Sequence, residues 1–272
     1  MKKLNKTYIK SILKSRKLDS HKGTYGHALM LAGSKGKMGA ALIASKACLR
    51  SGVGLLTVNT PEDERQIIQI GLPEAMVEIR QKTLGKLQSY KSIGIGPGLG
   101  TDKKTATLVK SSFSAKIPIV LDADALNLIA QYNWINLLPK NCILTPHQTE
   151  FDRLFGEHNS KPERMLKAMK MAKELGIIIV LKGHETFICS PEISFINTNG
   201  NAGLAKGGSG DALTGIITSF LAQGYKAIDA ALIAVYIHGL AADICLKEQS
   251  MESMLIGDVI DDLGNAFKKI AK

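Results

Sequence analysis

Aromatic side chains make up only 5% of the 272 residues, and the lysines and arginines are scattered instead of clustered beside them. Stacking platforms and basic stripes are therefore missing, which argues against a nucleic-acid partner. The net charge of +11 still makes the surface attractive to anions such as phosphates and dinucleotides. Cysteine is equally sparse. Cys48, Cys142, Cys189 and Cys245 lie far apart, with no C-x-x-C pair and no histidine at ligand spacing. That pattern excludes a zinc or dithiol motif and predicts reduced core thiols. Long apolar runs are also lacking. The most apolar stretch, 230–245, is interrupted by His238 and Asp243, is shorter than a bilayer span and reads as a buried helix. The lysine-rich segment 1–18 has neither the apolar stretch nor the cleavage site of a secretory signal. The expected location is the cytoplasm, with no membrane partner.

No linker, repeat or low-complexity tract interrupts the chain, so one domain over 1–272 is expected. Short apolar runs at 28–31, 55–58, 92–95, 117–121 and 142–144 read as buried strands. Helical spacing at 7–18, 39–50, 103–112, 125–131 and 161–175 alternates with them, the pattern of βαβ units and a parallel sheet. Runs at 177–181, 186–189 and 193–197 follow one another through short turns, which predicts antiparallel neighbours at one edge. Beyond 211 the pattern is helical, over 214–223, 226–246 and 258–269. The fold class is therefore α/β, a three-layer sandwich with helices on both faces of a mostly parallel sheet.

Two familiar phosphate loops are absent. The segment 199–211 holds five glycines in thirteen residues and runs into a helix, but no lysine is followed by serine or threonine at P-loop spacing. In Gly94-Ile95-Gly96-Pro97-Gly98-Leu99-Gly100 the third glycine of G-x-G-x-x-G would fall on Leu99 or Thr101, so the dinucleotide fingerprint is absent too.

What is present is the turn Gly207, Gly208, Ser209, Gly210, Asp211. Its backbone N–H groups at a helix start form an anion hole, and Asp211 is the carboxylate placed to accept a proton from a hydroxyl attacking the phosphate held there. A helix N-terminus lowers a carboxylate pKa, so Asp211 is expected to take that proton late. The alternative is a flexible loop with Asp211 as a helix cap. Lys182, Gly183, His184, Glu185 and Thr186 follow a strand and read either as a phosphate grip or as a polar hairpin. His147 and Glu150 also follow a strand end, the ligand-facing side of such sheets. Lys206 is expected to reach a phosphate or point to solvent.

Taken in order, Lys22 to His27, Gly39-Ala40-Ala41, Arg50-Ser51-Gly52, Gly96 to Gly100, Asp122 to Asn127, Leu144 to His147, Leu181-Lys182-Gly183 and Asn201 to Asp211 resemble the ADP- or ATP-dependent NAD(P)H-hydrate dehydratases, a branch of the ribokinase-like superfamily. The resemblance implies repair of the S-epimer of hydrated NADH or NADPH by phosphorylation of the ring hydroxyl and loss of phosphate. It implies that Ala40, Gly98, Gly100, His147 and Asp211 face the hydrated dinucleotide. Lys182, Gly183, His184, Glu185, Thr186 and Gly210 would hold ADP or AMP. Mg2+ as cofactor, ADP as the donor expected without a fused epimerase domain, and a homotetramer are implied as well; metal ligands are not identified. A small-molecule kinase of the same superfamily and a nucleotide-binding module without turnover remain the rival readings.

Overall fold

The computed structural model describes residues 1–85 and 87–272. In chain order the elements are β1 (Lys2–Lys3), α1 (Lys6–Ile12), β2 (His27–Leu31), α2 (Met38–Arg50), β3 (Leu55–Thr60), α3 (Arg65–Gly71), β4 (Met76–Ile79), β5 (Ser92–Ile95), α4 (Lys103–Ser112), β6 (Ile119–Leu121), α5 (Ala123–Gln131), β7 (Ile143–Leu144), α6 (Gln148–Phe155), α7 (Lys161–Leu175), β8 (Ile178–Leu181), β9 (Thr186–Cys189), β10 (Ser194–Asn197), α8 (Ser209–Ala222), α9 (Ala227–Cys245), α10 (Ile256–Asp261) and α11 (Leu263–Ala271).

The strands form one ten-stranded sheet in the order β1-β10-β9-β8-β7-β6-β5-β2-β3-β4. Only β9 runs against the rest, because its pairings with β8 and β10 are the two antiparallel ones among the described residues. The antiparallel edge expected from 177–197 is there, with the two-residue β1 added outside it in parallel to β10.

Side-chain alternation makes the layers. Leu31, Ile95, Leu121, Leu144 and Ile179 stand in register across five strands and pack under α4, α5, α6 and α7. One residue earlier on the same strands, Met30, Val120, Ile143 and Ile178 face the other way, toward α2, α8 and α9. Helix α8 buries eleven of its fourteen residues, and burying a side chain such as Ile217 or Phe220 contributes roughly 1.5–3 kcal/mol. That burial fixes its N-terminus at the carboxyl ends of the strands. Strand order reverses between β2 and β5, the switch point beside which open α/β sheets bind ligands.

Several expected boundaries change. The N-terminal helix stops at Ile12, because 13–16 trades helical bonds for tertiary ones: Lys14 N–H donates to Tyr225 Oη at 2.9 Å and Arg16 stacks 3.8 Å from the Tyr25 ring centroid. The last helix breaks at Asp262, whose carboxylate accepts from Asn265 Nδ2 at 2.7 Å. α9 matches the predicted 226–246 helix to within one residue at each end; contrary to the expectation that its apolar stretch falls short, it is long and apolar enough to cross a membrane, but 78% of that window is buried inside this fold. All four cysteines are free and buried.

Candidate functional site

The residues that follow β6 and β8 meet the first turns of α8, Asp122 at Thr214 and Lys182 beside Gly210. The Gly96–Gly100 turn is tied to its neighbours by backbone and side chain. Gly33 N–H donates to the Pro97 carbonyl at 2.8 Å, Ser34 Oγ donates to the Gly98 carbonyl at 2.8 Å, and Gly100 N–H donates to Asp124 Oδ2 at 2.8 Å. A methyl group at Gly98 would lie 3.0 Å from Ala40 Cβ, so Ala40, Gly98 and Gly100 belong to one wall.

Asp122, at the end of β6, is 1% exposed. Its Oδ1 lies 2.8 Å from Lys182 Nζ, and its Oδ2 accepts from Thr214 Oγ1 on α8 at 2.7 Å. Buried carboxylates need such partners. Glu150 Oε2 stands 4.0 Å from the same ammonium and accepts the His147 N–H at 2.9 Å, while His147 Nδ1 accepts the Glu150 N–H at 3.3 Å. This reciprocal capping starts α6 and leaves the imidazole half-exposed. Burial opposes the charge on Lys182, but Asp122, Glu150 and Asp211 outweigh it and hold the ammonium above its ordinary pKa.

Gly208, at φ 94°, is the N-cap of α8, and Asp211 is its third residue. Asp211 does not cap the helix. Its carboxyl is pushed up to about 6, by burial first and then by the Asp122 charge, against the pull of Lys182, with Asp124 and Glu150 adding to the rise. The lowering expected from the helix end is reversed, since desolvation and three carboxylates exceed what one helix terminus supplies. A side chain at Gly210 would place Cβ 3.0 Å from Lys182 Nζ and 3.5 Å from Asp122 Oδ2. A side chain here would press on the end of Lys182 and shift the ammonium by a few tenths of an ångström.

A cavity of about 520 Å³ opens between the ends of β8 and β10 and the helices α8 and α9. Lys182, Gly183, His184, Thr186, Ser209, Gly210 and His147 line it. Glu185 turns away to Lys161 at 2.6 Å. Gly207 and Gly208 belong to the turn above the cavity but not to its lining, and Ala40, Gly98 and Gly100 lie outside it. Lys206 does neither of the things expected of it: its Nζ donates to the carbonyls of Glu252 and Met254 at 2.5 and 2.7 Å.

Sequence reasoning passed over Asp122, Thr214, Asn197, Asn199 and His238. Asp122 follows an apolar strand just as His147 does, and that placement was the available signal. Among the described residues no three His, Cys, Asp or Glu side chains converge as a metal site.

A family model described as NAD(P)H-hydrate dehydratase matches residues 28–265. The chain is 37% identical to the ADP-dependent (S)-NAD(P)H-hydrate dehydratase of Bacillus subtilis, over 96% of each chain. It is 35% identical to the bifunctional NAD(P)H-hydrate repair enzyme Nnr of Moorella thermoacetica over 98% of this chain, and spans 54% of that longer protein. A crystal structure of the Bacillus subtilis ADP/ATP-dependent NAD(P)H-hydrate dehydratase co-crystallized with ATP/Mg2+ superposes with a TM-score of 0.89 at 34% identity, covering 99% of this chain and 98% of that one.

Proposed function

The chain belongs to the NAD(P)H-hydrate dehydratase family, and from that premise we propose that it restores NADH or NADPH from the S-epimer of the hydrated dinucleotide at the expense of an adenine nucleotide. ADP is the proposed donor, giving AMP and phosphate, with ATP as the alternative. The cavity lined by Lys182, Gly183, His184, Thr186, Ser209 and Gly210 takes the nucleotide. The wall of Ala40, Gly98 and Gly100, with His147, takes the hydrated nicotinamide.

The position of Asp211 carries this reading. It stands in the first turn of α8, next to the anion-binding N–H groups and beside the Lys182–Asp122 pair. A carboxyl group near pKa 6 is ionised at neutral pH yet accepts a proton more readily than an ordinary carboxylate. The ring hydroxyl oxygen attacks the terminal phosphorus, the bond from phosphorus to the departing nucleotide breaks, and the hydroxyl proton passes to Asp211 as the new O–P bond acidifies that oxygen. The phosphate then leaves with the C–O electron pair, pushed by the ring nitrogen, and loss of a proton from the adjacent ring carbon restores the double bond. Lys182 holds transferred phosphate charge at the Gly210 end of the turn.

Mg2+ fits the donors present. Asp124 and Asp211, near enough to feel each other's charge, offer carboxylate oxygens, the hard ligands this ion takes, beside the place proposed for the nucleotide phosphates. When bound, it would neutralise phosphate charge.

Incubation with S-hydrated NADPH, Mg2+ and either ADP or ATP tests the proposal: the reduced-nicotinamide absorbance should return in step with phosphate release. Absence of recovery with both donors would favour a kinase that stops at phosphorylation.

A further inference from the structure

Arg80 stands just past β4, the last strand of the sheet, and its side chain crosses β3 to reach the end of β2. Its own N–H continues the ladder by donating to the Thr60 carbonyl at 2.9 Å. The hydrogen bonds of its guanidinium all go to neutral oxygens. Nε donates to Asn59 Oδ1 at 3.2 Å, Nη1 to the Gly33 carbonyl at 2.8 Å, and Nη2 to the carbonyls of Ala32 and Asn59 at 2.7 and 2.8 Å. Glu78 Oε1, 3.5 Å from Asn59 Nδ2, fixes which way that amide points. Burial pulls the guanidinium down to about 10, against the nearby Asp102 charge, so it remains a cation at neutral pH.

Ala32 and Gly33 follow Leu31, the last paired residue of β2, and both are buried. Their carbonyls have run out of strand partners, and buried backbone oxygens need one. A planar fork of fixed donors suits three neighbouring oxygens better than an ammonium does.

The charge also reaches beyond β2. The Ala32 carbonyl and the Gly33 N–H belong to one peptide unit, so Arg80 pulls on its oxygen while its N–H donates to the Pro97 carbonyl at 2.8 Å. Bonds in such a chain polarise and strengthen one another. The next peptide unit begins with the Gly33 carbonyl, held by Nη1, and leads into Ser34, whose Oγ donates to the Gly98 carbonyl at 2.8 Å. The contacts that hold Pro97 and Gly98 thus come from Gly33 and Ser34, whose peptide units Arg80 grips. On the far side of the turn, Asp102 caps α4 and feels the same cation.

Resting on the assignment of the Ala40, Gly98 and Gly100 wall to the hydrated nicotinamide, we propose that Arg80 is a positioning residue for that substrate, setting the place of the Pro97–Gly98 turn through the Ala32–Gly33 peptide without touching the dinucleotide. The nucleotide cavity is lined by other elements, so substrate and donor affinity separate.

Arg80→Met and Arg80→Lys, checked for folding by circular dichroism, test this in turnover of S-hydrated NADPH with ADP. Arg80→Met should raise KM for the hydrated dinucleotide about tenfold or more with kcat changed less, and leave calorimetric ADP affinity within about twofold. Arg80→Lys keeps the charge, meets fewer oxygens and should fall between. Ala40→Leu crowds the wall directly and reports on the wall itself. A raised KM in Ala40→Leu beside an unchanged one in folded Arg80→Met would overturn the role of Arg80 and leave the wall standing. If Arg80→Met does not fold, an unchanged KM in Arg80→Lys does the same. Equal weakening of ADP and dinucleotide would overturn the role as well, since a general structural strut moves both. An unchanged KM in Ala40→Leu would overturn the wall assignment, and this proposal with it.

Discussion

Lys182 and Asp122 meet at 2.8 Å beneath the first turn of α8, with the Lys182 ammonium also 4.0 Å from Glu150. One cation therefore serves three carboxylates, counting Asp211 through space. Burial, and then the Asp122 charge, push Asp211 up to about 6 against the pull of Lys182, so kcat/KM should rise with pH along a limb centred there, because the ionised form accepts the proton. Lys182→Met removes the charge that holds Asp211 down and should move that limb toward higher pH. A pH–rate profile of both proteins measures it; coincident limbs would show that the pair does not tune Asp211.

The same shift has a consequence for stability. A folded-state pKa raised from 3.8 to about 6 means that the native state binds the proton more tightly than the unfolded chain, so stability is lost as pH rises between about 4 and 6. Asp211→Asn cannot titrate and escapes this loss. At pH 7.5 the variant should be more stable than the wild type by on the order of 2 kcal/mol, with the difference fading below pH 4. Thermal denaturation across pH checks both the sign and the window.

Gly210→Ala should weaken nucleotide binding about tenfold or more and leave the fold intact, because the new methyl group meets only the Lys182–Asp122 pair, at 3.0 and 3.5 Å. Calorimetry with ADP, compared with the thermal midpoint, separates the two effects.

The sequence announced some of this plainly and some not at all. Strands such as Ile119–Leu121 and Ile178–Leu181 are buried on both faces and show as unbroken apolar runs. β1 is two lysines whose pairing with β10 is a backbone matter, invisible to side-chain pattern. α3 and β4 were missed because this end of the sheet is half-solvated, with Ile70 and Met76 exposed and Glu78 inside the strand. α6 starts on a histidine cap, a residue type outside the usual capping set. At the site, the glycines marked the turn that starts α8, but the Asp211 pKa depends on Asp122 and Glu150, which lie 89 and 61 positions upstream. His238 registered only as an interruption in an apolar helix, since nothing local reveals that its Nε2 ends without a partner.

Lys206→Ala should loosen the segment 250–255 that Lys206 pins through the carbonyls of Glu252 and Met254. The loss should be about 1 kcal/mol of stability, with faster amide exchange at 250–255 and kcat nearly unchanged. A large fall in kcat would mean that Lys206 acts on phosphate after all.

The most direct test of the account pairs two readings on Asp211→Asn: nucleotide affinity, and the rate at which S-hydrated NADPH regains its reduced-nicotinamide absorbance. The account predicts ADP binding within a few-fold of the wild type and turnover reduced by about 100-fold or more. Undiminished turnover in the folded variant would contradict the central claim that Asp211 receives the proton.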